Sequence, residues 1–64
     1  MKNIEEIRTI IATMDDKLFD KINKADYDCF SNDVKERRNG KKRLIYNLKK
    51  VNLTVEEWDM WCIE

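Results

Sequence analysis

The spacing of apolar residues predicts a chain built of helices. Between positions 3 and 24, apolar side chains recur at steps of three and four, which is the repeat of a helix with one buried face. They are Ile4, Ile7, Ile10, Ile11, Met14, Leu18 and Ile22. Asn3 precedes the stripe and can accept a hydrogen bond from the first turn. We therefore predict one helix over residues 3–24.

The stretch Thr13-Met14-Asp15-Asp16 leaves a second interpretation open for this segment. A threonine followed three residues later by an acidic residue resembles the capping box that begins a helix. The alternative is therefore two helices with a joint at Thr13. The apolar stripe runs through the stretch without interruption, and for that reason we favour a single helix.

The middle of the chain, residues 32–52, also admits more than one structure. Ser31 can cap a helix that begins at Asn32. In one unbroken helix, Arg37 and Lys41 would fall inside the apolar stripe. Asn39-Gly40 tolerates the left-handed conformation that ends helices, and it is also the strongest short signal for a β-hairpin. The preceding residues lack the alternation of a strand, so we predict two helices, over residues 32–39 and 41–51.

The last segment carries the clearest local signal. Thr54 and Glu57 form a capping box, and Leu53 and Trp58 are spaced as a hydrophobic staple around the same helix start. We predict a helix over residues 54–63. Its two tryptophans, Trp58 and Trp61, are large enough to supply much of a small core.

Composition supports an all-α fold of three to four helices in a single domain over residues 1–64. The chain has no proline and one glycine, whereas a compact β protein of this size needs several tight turns. Hydrophobic residues make up 42% of the sequence, which is too many for a disordered chain.

Residue usage also excludes several kinds of chemistry. The chain has no histidine, and its two cysteines, Cys29 and Cys62, are far apart in sequence, so we expect no metal site and no cofactor. We expect both cysteines to be buried thiols of a cytoplasmic protein, with a disulfide as the alternative. No apolar run is long enough to span a membrane, so no membrane partner is expected.

Catalysis is not expected either. Without histidine there is no Ser-His or Cys-His pair to activate a nucleophile. The carboxylate pairs Asp15-Asp16 and Glu56-Glu57 are typical of first-turn helix charges, and a fold this small can scarcely enclose a pocket that would raise a carboxylate pKa. We therefore predict that the protein is not an enzyme.

The distribution of charge is more informative than its total, which is zero. Residues 1–34 carry a net charge of −3, residues 35–50 carry +7, and residues 51–64 carry −4. Sixteen consecutive residues at +7 create a strong local field even on a neutral protein. The middle segment is therefore the best candidate for a binding surface.

The candidate binding residues are the cations of this segment and the tyrosine among them. We predict that the following residues contact a partner: Arg37, Arg38, Lys42, Arg43, Tyr46, Lys49 and Lys50. On a helix, Tyr46 lies one turn from cations on both sides, an arrangement that suits phosphates or an acidic protein surface. The other interpretation is that these side chains only solvate the outer face.

These observations predict a small non-catalytic binding or regulatory protein. An acidic protein or ribonucleoprotein surface is the expected partner, and binding to a nucleic-acid backbone is an alternative. A further alternative is a homo-oligomer with the isoleucine stripe or the tryptophans at its interface. Size and composition also fit an inhibitor or regulator of the type found in phages and mobile elements, although this is an analogy and not evidence from a site.

Overall fold

Four α-helices make up the fold. The computed structural model describes residues 2–63, which contain no β-strand. The helices are α1 (Ile4–Thr13), α2 (Asp16–Asp28), α3 (Val34–Lys49) and α4 (Val55–Ile63). The predicted all-α class, with three to four helices, is confirmed.

The helices pack as two pairs around one apolar core. The most extensive contact is between α2 and α3, and α1 packs against α4. The core takes residues from every helix and from two of the connections: Ile7, Ile11, Met14, Ile22, Ala25, Leu44, Leu48, Leu53 and Trp58. Because α3 and α4 touch each other only sparsely, an open cleft remains between them.

The prediction of one helix over residues 3–24 is wrong. Met14 and Asp15 have extended backbone conformations (ψ of 145° and 135°), so α1 ends at Thr13 and α2 begins at Asp16. The hydroxyl of Thr13 donates back to the carbonyl oxygens of Thr9 (2.9 Å) and Ile10 (3.3 Å) and so does not cap α2. The bend buries the side chain of Met14 and lets α1 and α2 pack against different helices.

The predicted break at Asn39-Gly40, with helices over residues 32–39 and 41–51, is also wrong. A single helix, α3, begins at Val34 and continues through Gly40 to Lys49. Its cap is Asp33, whose Oδ1 accepts from the amide of Lys35 at 2.9 Å, and not Ser31. Gly40 is buried, has the negative φ of a helical residue, and lies in close contact with Ala25 and Asp28 of α2. A glycine that permits close packing was therefore mistaken for a helix terminator.

The residue that does adopt the left-handed conformation is Asn52, with φ of 59°. It follows the last turn of α3, and the amide of the next residue, Leu53, donates to the carbonyl of Leu48 at 3.0 Å. This hydrogen bond satisfies a carbonyl at the end of the helix, as in other left-handed helix caps. The chain then turns directly into α4.

The predicted start of α4 is confirmed. The amide of Glu57 donates to Oγ1 of Thr54 at 3.2 Å, and the amide of Thr54 donates to Oε1 of Glu57 at 2.9 Å, which completes the capping box. Leu53 and Trp58 both lie in the core. The rings of Phe19, Trp58 and Trp61 pack against one another at centroid distances of 5.2–6.1 Å. Trp58 is fully buried in this aromatic cluster.

Candidate interaction surface on helix α3

The continuity of α3 aligns basic residues into one stripe on its exposed side. Residues spaced by three and four positions share a helix face, and five exposed residues of α3 follow this spacing. We call them the outer ridge: Lys35, Arg38, Lys42, Tyr46 and Lys49. The ridge extends for about 21 Å along the helix, at 1.5 Å per residue. It lies opposite the buried residues Gly40, Leu44 and Leu48.

Tyr46 is the aromatic centre of this surface. Its side chain is 66% exposed, and the Nζ of Lys50 lies 4.8 Å from the centroid of its ring. A cation at this distance is attracted by the negative face of the ring. Lys50 caps the end of α3 and thereby extends the basic surface by one residue.

Arg43 lies beside the ridge and is already neutralised. Its guanidinium forms an ion pair with the carboxylate of Asp28 on α2, and its Nε donates to the carbonyl of Asn39 at 3.4 Å. Both partners of the pair are partly exposed. Arg43 therefore adds less free positive charge to the surface than its position in the sequence suggests.

Arg37 points toward the other side of α3. It lines the cleft between α3 and α4, which has a volume of about 440 Å³. We refer to this site as the α3–α4 cleft. Arg38 belongs to the outer ridge and also lines the cleft, and Lys41 lines the cleft as well. The seven predicted residues thus do not form one patch, because α3 distributes them over a ridge, a neutralised flank and a cleft.

Three residues of this region were not predicted. Lys35 completes the ridge and Lys41 lines the cleft. An unbroken helical period from residue 34 to residue 49 would have aligned Lys35 with Lys42 and Lys49 on one face. The third is Phe30, an exposed aromatic residue in the α2–α3 connection, which has no repeating pattern that could indicate its position.

A larger open groove, of about 1130 Å³, lies where the end of α3 faces the start of α4. Its charges are balanced, since three lysines and three glutamates line it: Lys2, Lys41, Lys49, Glu6, Glu56 and Glu57. The carboxylate of Glu57 already accepts hydrogen bonds from the backbone amides of Lys2 and Thr54. This groove therefore shows no preference for a charged ligand.

Glu57 is a buried carboxylate with a structural role. It is only 2% exposed, and its Oε2 accepts a hydrogen bond from the backbone amide of Lys2 at 2.8 Å. The Nζ of Lys2 lies 3.8 Å from the other oxygen. These amide hydrogen bonds, first from Lys2 and then from Thr54, lower the pKa of Glu57 below its ordinary value despite burial. Glu57 therefore links the beginning of the chain to the start of α4.

The two cysteines are free thiols, as expected, but they are less buried than predicted. Cys29 is half-buried and Cys62 is exposed. Partial burial and then the nearby carboxylate of Asp26 raise the pKa of both thiols, because each effect disfavours the thiolate. At neutral pH neither sulfur is an activated nucleophile.

No protein-family model, curated protein or solved structure matches this chain. Within residues 2–63, no three metal-ligating side chains lie close enough together to hold an ion. In the same range, none of the helices combines the length and apolar character needed to cross a membrane. The charge and shape of the surface around α3 are therefore the main features that bear on function.

Proposed function

We propose that this protein is a small non-catalytic binding protein that docks through the outer ridge and Lys50 on an acidic surface of a larger protein. In that role it would act as a regulator or inhibitor by covering the surface to which it binds. Its two free thiols suit the reducing cytoplasm as the setting.

One observation carries this proposal. Among residues 2–63, the four cations of the outer ridge form no ion pair with a carboxylate, whereas nearby Arg43 does. Lys35, Arg38 and Lys42 follow one another at one helical turn, which is within the screening length of about 8 Å at physiological salt, and Lys49 follows two turns after Lys42. Their fields therefore add, and they favour approach and correct orientation of an anionic partner.

An acidic protein, alone or within a ribonucleoprotein, is favoured over free nucleic acid. The whole chain has a net charge of zero, whereas a domain that binds nucleic acid by its backbone usually has a strong positive excess. Tyr46 supports nucleic acid as the second candidate, because an exposed ring among cations can stack on an unpaired base.

The burial of the isoleucine stripe and of the tryptophans gives little support to a homo-oligomer. Ile7 and Ile11 of the apolar stripe and Trp58 are buried within the monomer, and Trp61 is partly buried against them. Their apolar area is therefore used in folding and is not displayed for a second copy.

The proposal is tested by charge reversal on the ridge with a matched control on α2. Affinity capture from the native host identifies a partner, and its binding is then measured with purified components after nuclease treatment. We expect Lys42→Glu with Lys49→Glu to abolish binding, and Lys17→Glu with Lys21→Glu, the same change on α2, to leave most of it intact. Equal binding by both double variants would overturn the proposal. Loss of capture on nuclease treatment would replace the protein partner with nucleic acid.

A further inference from the structure

The α3–α4 cleft combines an apolar interior with an exposed aromatic ring. Leu44 is only 3% exposed, and the cleft is also lined by Val55 and Cys29. Phe30 lies at the same site but leaves 80% of its side chain in water. Tyr27, three residues earlier in the chain, is equally exposed but lies outside the cleft. Phe30 is therefore the one of these two rings that could cover an apolar group bound in the cleft.

The two sides of the cleft carry opposite charges. Arg37, Arg38 and Lys41 project from α3, whereas Asp26 of α2 and Asp59 of α4 line the cleft on the other helices. Among residues 2–63, none of these five side chains forms an ion pair within hydrogen-bonding distance. A ligand that fills the cleft thus meets an apolar centre, a basic edge and a weaker acidic edge.

We propose that the cleft binds an amphipathic segment of a protein partner. A large apolar side chain of that segment would enter between Phe30, Leu44 and Val55. Acidic residues on one edge of the segment would face Arg37 and Lys41, and basic or uncharged polar residues on the other edge would face Asp26 and Asp59. This inference rests on the proposed function and names the part of the partner that the protein recognises.

A nucleic-acid strand fits the cleft less well than such a segment does. A strand carries a phosphate at every nucleotide, and the carboxylates of Asp26 and Asp59 would repel those that pass over them. A peptide can alternate its charges to match both edges. It can also supply the apolar anchor that typically dominates binding of a helix in a groove.

The test uses a displayed library of random peptides about 16 residues long, which span about 24 Å when helical. The library is selected against the whole protein. We expect the enriched peptides to place large apolar residues at helical spacing, with Asp or Glu on one side. The dissociation constant of a selected peptide is then measured for Phe30→Ser, for Lys41→Glu and for the matched control Tyr27→Ser.

We expect Phe30→Ser and Lys41→Glu to weaken peptide binding about tenfold or more, as for residues that anchor an interface, and Tyr27→Ser to change it less than about twofold. The substituted side chains are exposed, and circular dichroism verifies that each variant folds. Enrichment of no peptide, or equal binding by Phe30→Ser and Tyr27→Ser, would overturn the inference. Sedimentation of the free protein gives a second check, because a dimer lost in Phe30→Ser would identify another copy as the occupant and also overturn it.

The proposed roles of the outer ridge and of the cleft can be disproved independently. If Lys42→Glu with Lys49→Glu abolishes binding of the host partner while Phe30→Ser has no effect, the proposed function stands and the cleft inference is wrong. If neither set of changes weakens binding of the host partner, the proposed function is wrong as well.

Discussion

Gly40 of α3 packs directly against Asp28 of α2. A Cβ at position 40 would lie 2.8 Å from the Cβ of Asp28 and 3.0 Å from the carbonyl oxygen of Ala25. These distances are shorter than van der Waals contact, and the obstructing atoms belong to a helix backbone or are attached directly to it. The absence of a side chain at this position therefore allows α2 and α3 to approach closely and brings Arg43 within reach of Asp28.

The close contact of Gly40 with α2 determines whether Gly40→Ala stabilises or destabilises the protein. By helix propensity alone, alanine should stabilise the protein by about 1 kcal/mol. Overpacking a close contact typically costs about 1–3 kcal/mol. We expect the contact to outweigh propensity and the free energy of unfolding to fall by about 1 kcal/mol, measured by urea denaturation. Asn39→Ala is the control, since Asn39 is exposed on the same helix, and it should be neutral or slightly stabilising. If the Gly40→Ala variant were more stable than the wild type, α2 would have to move enough to accommodate the added methyl group.

The lowered pKa of Glu57 predicts that acid reduces the stability of the folded protein. Its pKa is lower in the folded protein than in the unfolded chain, so its stabilising effect is complete above the ordinary glutamate pKa of about 4.3. That stabilisation is lost as the pH falls through the lower, folded-state pKa. We expect Glu57→Gln to lower the free energy of unfolding at pH 7, and the difference from wild type to shrink toward pH 3. Glu56→Gln, at the exposed neighbouring position, should show neither effect. A pH-independent difference for Glu57→Gln would contradict this role of its charge.

Trp58 is the largest of the fully buried side chains in the core. It packs against the rings of both Phe19 and Trp61. Truncation of a buried tryptophan to alanine costs about 3–5 kcal/mol, and a protein of this length has only about 3–10 kcal/mol in total. We therefore expect Trp58→Ala to be largely unfolded at 25 °C by circular dichroism. Trp61→Ala should remain folded, because Trp61 is partly exposed.

The indole of Trp58 allows a finer test. Its Nε1–H is buried and has no acceptor within residues 2–63. Phenylalanine retains a ring and removes the unsatisfied donor, which relieves a desolvation penalty of about 1–3 kcal/mol. We expect Trp58→Phe to lower the free energy of unfolding by less than about 2 kcal/mol, well below the loss for Trp58→Ala. If Trp58→Phe and Trp58→Ala lowered the free energy of unfolding equally, the contacts of the ring would contribute little to stability.

Lys42 and Arg43 are adjacent in sequence but should differ in their effect on polyanion binding. Lys42 has no carboxylate partner among the described residues, whereas Arg43 is paired with Asp28. We expect Lys42→Gln to lower the salt concentration that elutes the protein from immobilised heparin more than Arg43→Gln does. Because the pair is partly exposed, Arg43→Gln should cost no more than about 1 kcal/mol of stability. The opposite order of elution would argue against the ridge as the main cationic surface.

Two helix starts were predicted correctly from local sequence patterns. The capping box of Thr54 and Glu57 and the cap at Asn3, whose Oδ1 accepts from the amide of Glu6 at 2.9 Å, were both predicted correctly. Each depends on residues no more than three positions apart, so the sequence alone contains the whole interaction. The basic segment was identified for the same reason, since its charge is a property of consecutive residues.

Tertiary packing decided that α1 ends near Met14 and that α3 continues through Gly40. A continuous apolar stripe is compatible with either a straight helix or a bend at Met14, and packing of α1 on α4 and α2 on α3 selects the bend. At Gly40, local conformational preference permits a break, but close contact with α2 stabilises an unbroken helix. That contact also fixes which side of α3 each cation occupies. Local patterns therefore predict the helical class and the location of the charge, whereas long-range contacts, which no local pattern encodes, arrange that charge into a ridge and a cleft.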